Sequence, residues 1–168
     1  MRSTPLTRPD DSLRTLAESC RVAGRNELDR LHEAAGRLRD AIDYQTGTTY
    51  SATTAAEALA HGVGVCQDHA HAFVTVARLL GIPARYVSGY LVSESPDGPD
   101  EAAHAWAEGL VPDLGWVGFD VANRVCATDA YVRVSAGLDY QDAAPTRGLR
   151  RGGGSEALSV RVRVSPIG

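Results

Sequence analysis

Hydrophobic and polar positions along this chain change period once, near residue 83, from helical spacing to alternation. Before that point apolar residues recur every three or four positions. Leu13, Leu16, Ala17 and Cys20 form one stripe. Pro9-Asp10-Asp11-Ser12 opens it, placing acidic side chains where the helix dipole favours them, and it ends near Gly24. Leu28, Leu31, Ala35, Leu38 and Ile42 form a second stripe, predicting a helix over 27–42. Residues 46–54, rich in Thr and Gly, read as a loop. Thr54-Ala55-Ala56-Glu57 is a capping-box pattern that opens a short helix stopping at Gly62. Gly62-Val63-Gly64-Val65-Cys66 is then a tight loop into a third helix. Phe73, Val76, Ala77 and Leu80 give that helix a buried face, and Gly81-Ile82-Pro83 ends it.

Beyond Pro83 the spans 84–92, 103–111 and 115–121 alternate and read as strands. A Pro-, Asp- and Gly-rich loop at 93–101 separates the first two. The turn at 111–115 makes the second and third antiparallel neighbours. Residues 131–135 add a strand, and ALSVRVRV at 157–164, after Gly152-Gly153-Gly154, adds another. There is no internal repeat. Helices first and an antiparallel sheet afterwards define an α+β fold, with the N-terminal helices packed on the sheet.

Composition narrows the function classes. The 168 residues suit one domain spanning 1–168, and 43% hydrophobic with 23% charged residues is ordinary for a globular chain. A net charge of −4 offers no electrostatic footprint for nucleic acid or an anionic membrane. All 17 basic residues are Arg, so the chain cannot cross-link to itself through a lysine amine. Three widely spaced cysteines imply neither a disulfide framework nor a CxxC metal pair. Residues 1–10 are polar, and no apolar run reaches membrane-spanning length, so the expectation is a cytoplasmic protein. Oligomeric state is not legible.

The chemistry-bearing residues are Cys66, His104 and Asp120. A nucleophilic cysteine needs thiolate character, a base beside it and a group orienting that base. Cys66 stands where a glycine-bracketed loop becomes a helix, so unpaired N–H groups and the dipole favour a thiolate there. His104 and Asp120 lie on consecutive strands an even number of residues apart, as sharing one sheet face requires. Pairing them directly would set Glu108 opposite Trp116 and leave a loop of about seven residues, long for a hairpin. Cys20 and Cys126 have no base nearby and read as structural. Asp68, His69 and His71, with Cys66 and His104, have the composition of a metal cluster. Positions 66, 69 and 71 do not share one helix face, so helix packing is the better reading. Trp106, Trp116 and Tyr90 read as core or groove-wall aromatics.

The run GVCQDHAHAFVTVARLLGIPARYVSGYL at 64–91, followed by AHAWAEGL and GWVGFDVAN, resembles the bacterial branch of the transglutaminase-like superfamily. The likeness is close over 48–123 and looser to 164. It implies a papain-like, transglutaminase-core fold with Cys66 as nucleophile, His104 as general base then acid, and Asp120 orienting the imidazole. It further implies attack on an amide of a protein or peptide substrate such as a glutamine, through a thioester that passes to water or an amine. Val121 and Ala122 stand where many relatives have Pro and Thr, a departure at the strand end and not in the triad. Bacterial relatives often carry a β-sandwich-like domain ahead of this core, so a longer parent chain is expected. Calcium belongs to the large eukaryotic members, and no acidic calcium loop is present; no metal or cofactor is expected. Gln67 is a candidate oxyanion donor beside the Cys66 N–H, and Trp106 and Tyr90 are candidates for the acyl site. The rival class is a non-catalytic peptide- or protein-binding module that kept the fold.

Overall fold

A computed structural model describes residues 2–92 and 103–145; the expected loop at 93–101 and strand at 157–164 lie outside the described residues. Helix α1 (Asp11–Ser19) is capped by Asp10, whose carboxylate accepts the Leu13 N–H at 2.9 Å. Helix α2 (Glu27–Ala41) buries Leu31, Ala34 and Leu38. A two-residue strand, β1 (Asp43–Tyr44), follows it. Thr54 and Glu57 form the reciprocal capping box of α3 (Ala55–His61), and Gly62 ends that helix at φ +69, a conformation glycine adopts without strain. Strand β2 (Val63–Gly64) then pairs in parallel with β1, a contact the hydropathy pattern did not reveal.

Helix α4 (Cys66–Leu79) is the centre of the molecule. The expectation of a single buried face is corrected: every residue from Asp68 to Ala77 is buried. Helices α1, α2 and α3 pack against α4, as do strands β3 and β4 of the sheet, leaving it no solvent face. The resulting core includes Leu13, Leu31, Leu38, Phe73, Tyr86 and Phe119. Truncating one such leucine to alanine costs about 2–5 kcal/mol.

The sheet runs β6-β5-β4-β3-β7, all antiparallel: β3 (Ala84–Leu91), β4 (Ala103–Val111), β5 (Gly115–Asp120), β6 (Val125–Cys126) and β7 (Tyr131–Gly137). The last strand extends two residues beyond its expected end, and a short helix, α5 (Tyr140–Ala143), packs against β7. The register that would pair His104 directly with Asp120 is not the one formed. Glu108 faces Gly118 rather than Trp116, and Leu110 faces Trp116. Val111 pairs with Gly115, so the connection is the short turn Pro112-Asp113-Leu114, closed by the Leu114 N–H on the Val111 carbonyl at 3.2 Å. A turn of three residues closes at less entropic cost than a loop of about seven. The slip is two residues, so face assignments survive: His104, Trp106, Glu108, Gly118 and Asp120 remain on one face.

Candidate active site

The first residue of α4 is Cys66, so its N–H has no acceptor within the helix. The approach to it is fixed from several sides. Asp68, fully buried, accepts the Val65 N–H at 2.8 Å and the Thr49 hydroxyl at 2.6 Å through Oδ2. A Cβ at Gly64 would stand 2.8 Å from the Asp68 Cβ, so glycine is required there to let the carboxylate reach across the turn. His69 bolts the same turn to β1: its Nδ1 meets the Val65 carbonyl at 2.8 Å and its Nε2 the Ile42 carbonyl at 2.9 Å. His71 is buried and accepts the Tyr140 N–H at 3.0 Å through Nε2. Burial, which outweighs the opposing pull of Asp139, brings His71 down to about 4. The histidines expected to serve helix packing are thus engaged with backbone, and among the described residues no group of three or more His, Cys, Asp or Glu could hold a metal ion.

Across the cleft, His104 Nε2 lies 2.6 Å from Asp120 Oδ2. The ring shares its cleft with Cys66, which also favours the charged imidazole. With Nε2 taken by the carboxylate, Nδ1 is the nitrogen left for the thiol. Burial works against a charged imidazole, yet the pull of Asp120 and Cys66 prevails and lifts His104 to about 9. Asp120 is pushed up by burial and pulled down further by its donors, ending below the usual carboxylate range. Those donors are three side chains on Oδ2: His104, the Asn123 amide at 2.7 Å and the Tyr131 hydroxyl at 2.8 Å. The Asn123 N–H adds a bond to Oδ1 at 3.2 Å.

Tyr131 and Asn123 had no assigned role in the sequence. Asn123 stands three residues after Asp120, the offset at which a capping Asp accepts a backbone N–H, a signal available in principle. Tyr131 carries none, because only the pairing of β7 with β3 brings it near. Arg39 was also missed. It joins the Ala122 carbonyl (Nε, 3.1 Å) to the Ile42 carbonyl (Nη1, 3.1 Å), so the turn after Asp120 and the strand beside the nucleophile are tied together.

Trp106 is 3% exposed and its indole stacks along His104, centroids 6.4 Å apart, with Tyr131 edge-on at 5.3 Å. Gly89 makes room for it, since a Cβ there would sit 2.6 Å from the indole edge. Trp116 lies elsewhere, 42% exposed beneath the Arg85 guanidinium. A cleft of about 250 Å³ is lined by Cys66, Gln67, Tyr86, Ser88, Tyr90 and His104, among others, and its surface is mainly apolar. Hollows of about 590 and 450 Å³ lie along α2 and beside Ile82 and Leu110. Neither touches Cys66 or His104, so chemistry rather than volume picks out the smaller cleft. Gln67 donates to the Ser51 carbonyl at 3.3 Å while facing the cleft.

The model of the transglutaminase-like superfamily matches residues 14–121. The chain belongs to that superfamily. Relatives agree: an uncharacterised protein of Mycobacterium leprae is 38% identical over 162 residues, covering 92% of this chain and 56% of its own length. A protein-glutamine gamma-glutamyltransferase of Pseudomonas aeruginosa is 38% identical over 82 residues, 45% of this chain and 12% of that one. Among solved structures, a candidate cysteine protease from Cytophaga hutchinsonii superposes with a TM-score of 0.72 at 29% identity, covering 85% of this chain and 47% of that one. The periplasmic domain of Pseudomonas aeruginosa TgpA gives 0.56 at 26% identity, covering 70% and 44%. The superfamily's papain-like α+β fold is therefore that of this chain, which spans about half the length of the curated relatives it matches most fully.

Proposed function

We propose that this superfamily member performs cysteine-nucleophile acyl chemistry on amide bonds of a protein or peptide substrate. The observation that carries the reading is the imidazole of His104, bonded to Asp120 and lining one cleft with Cys66. In this reading the Cys66 sulfur adds to the amide carbonyl carbon and the π electrons move onto oxygen. The C–N bond then breaks, the amine leaves with a proton from His104, and a thioester remains on Cys66. Water or a second amine, deprotonated by His104, attacks that thioester and regenerates the thiol. Asp120 holds the ring in the orientation both steps need. Tyr90 and Trp106 shape the acyl side of the cleft, and the Cys66 N–H faces the oxyanion.

Cys66→Ala should abolish turnover of peptide amides without altering the thermal melt. Activity comparable with the native chain would refute the mechanism. Hydrolysis and amine transfer share this site, and incorporation of a labelled primary amine, measured beside release of ammonia, separates them. The binding-module reading is tested by alkylation near neutral pH. Burial pushes the Cys20 and Cys126 thiols up, so a catalytic Cys66 should react well ahead of both, and equal rates would favour the module. Cytoplasmic location is proposed on the three free thiols alone. The TgpA domain it resembles is periplasmic, and fractionation of the producing cell decides between the compartments.

A further inference from the structure

Acyl transfer at Cys66 needs two donors at the oxyanion, and the helix start supplies one, its own N–H. We infer that the Tyr44 hydroxyl is the second donor, completing an oxyanion hole between strand β1 and the first turn of α4. This rests on the acyl-transfer reading above and adds a catalytic residue to it.

The placement comes from backbone pairing. Tyr44 is the register partner of Gly64, two residues before the nucleophile. The Asp43 N–H on the Gly62 carbonyl and the Gln45 N–H on the Gly64 carbonyl, both at 2.9 Å, fix it on either side. The Tyr44 ring stacks on His69, one helical turn along from Cys66, with centroids 6.3 Å apart and planes 27° from parallel. That imidazole is itself tied to the carbonyls of Ile42 and Val65, the second residue before Tyr44 and the residue before Cys66. Arg39 donates to the Ile42 carbonyl as well. The phenol is thus mounted rigidly over the start of α4, although the residue is 46% exposed.

Its hydroxyl has no hydrogen-bond partner among the described residues, unlike that of Tyr131. Burial first, and then the charges of Cys66 and Asp120, push the Tyr44 phenol up, so it keeps its proton and remains a donor at the pH of the reaction. Gln67, the alternative, follows Cys66 on the helix and already donates its amide to Ser51. In the addition step the C–S bond forms, the carbonyl π pair moves to oxygen, and the oxyanion accepts from the Cys66 N–H and the Tyr44 O–H without proton transfer. On collapse the pair returns, the C–N bond breaks and the hydroxyl is released unchanged.

The test is Tyr44→Phe in the full chain, which keeps the ring on His69 and removes one oxygen. Acylation is read from nitrophenolate release with p-nitrophenyl acetate, and nucleophile integrity from the rate of Cys66 alkylation by iodoacetamide, a displacement that builds no carbonyl oxyanion. The expected result is acylation slowed about 100-fold with alkylation and melting temperature unchanged. Equal acylation in both proteins would overturn the assignment, and loss in Gln67→Ala instead would move it to that residue. An equal fall in both readouts would also overturn it, placing Tyr44 in support of the thiol. If the native chain releases no nitrophenolate beyond the Cys66→Ala level, the acyl-transfer reading itself fails, and Tyr44 with it.

Discussion

Strand β4 carries two carboxylate-centred clusters on one face, four residues apart, and only one of them sets its carboxylate against a titratable partner. At His104 the carboxylate is Asp120, held by an imidazole, an amide and a phenol. At Glu108 it is bound by Arg85, with Nε and Nη2 both 2.6 Å from Oε2, and by Arg133 at 3.2 and 3.3 Å. Both carboxylates are nearly out of water. The cations differ. A guanidinium stays charged at any pH the fold survives, so Glu108 is neutralised permanently and its cluster only holds β4, β3 and β7 together. An imidazole can gain and lose its proton, and His104 shares its cleft with the Cys66 thiol. In the proposed mechanism a buried carboxylate becomes part of a reaction centre because its partner titrates and has another neighbour to serve.

Truncating each carboxylate separates the two roles most widely. Asp120→Ala should lower kcat for amide or ester turnover about 10³–10⁴-fold, because the imidazole loses its orienting acceptor. Loss of Cys66 should cost still more. Glu108→Ala should leave kcat within about threefold. Steady-state kinetics on both variants decides it, and a loss in Glu108→Ala rivalling that in Asp120→Ala would erase the distinction.

The pH profile sharpens the same contrast. His104 stands at about 9, raised from an ordinary value of 6.5, so its imidazolium should be available to the leaving amine up to about pH 9. Turnover should fall above that. Because the folded value is the higher one, the stability this proton contributes is complete below pH 6.5 and lost as pH rises from 6.5 to about 9. Asp120 has the opposite sign: its contribution is present above its ordinary value of 3.8 and lost as pH falls through its lower folded value. In Asp120→Ala the alkaline limb should move to lower pH. In Glu108→Ala it should stay in place.

Stability should show the reverse ranking. Glu108→Gln removes the charge between two arginines that are 29% and 51% exposed, so water takes over much of their solvation. A loss of about 1–2 kcal/mol in urea unfolding is expected, with activity retained.

The pairing of His104 with Asp120 near Cys66 was legible in the chain, partly for local reasons. Cys66 at a glycine-flanked helix start, and His104 and Asp120 an even distance apart on alternating strands, are marked by spacing alone. The register stayed open in the sequence because parity fixes the face, not the offset; turn closure sets the offset. The all-round burial of α4 was invisible because Asp68, His69, His71 and Thr75 are polar letters bonded to distant partners: Thr49, Ile42, Tyr140 and Thr7. Tyr131, Arg39 and the β1–β2 pair belong to the same class, since their partners lie from 11 to 83 residues away. Long-range backbone pairing delivered each of them, and no short window of sequence holds that information.

The smallest expected effect falls on Tyr131. Removing its hydroxyl leaves Asp120 with His104 and Asn123, and the ring keeps its edge contacts with Trp106 and His104. A hydrogen bond to a charged group contributes about 1.5–3 kcal/mol, but this one is made in ground and transition states alike, so little of it should appear in the barrier. Tyr131→Phe should therefore reduce kcat roughly threefold to tenfold while lowering the melting temperature measurably. Asn123→Ala, which leaves the backbone N–H on Oδ1, should behave similarly, and the double variant should lose more than the product of the two, since Asp120 would then keep His104 as its one side-chain donor. A Tyr131→Phe variant as slow as Asp120→Ala would mean that the phenol, and not the imidazole, is the partner this carboxylate is placed to serve.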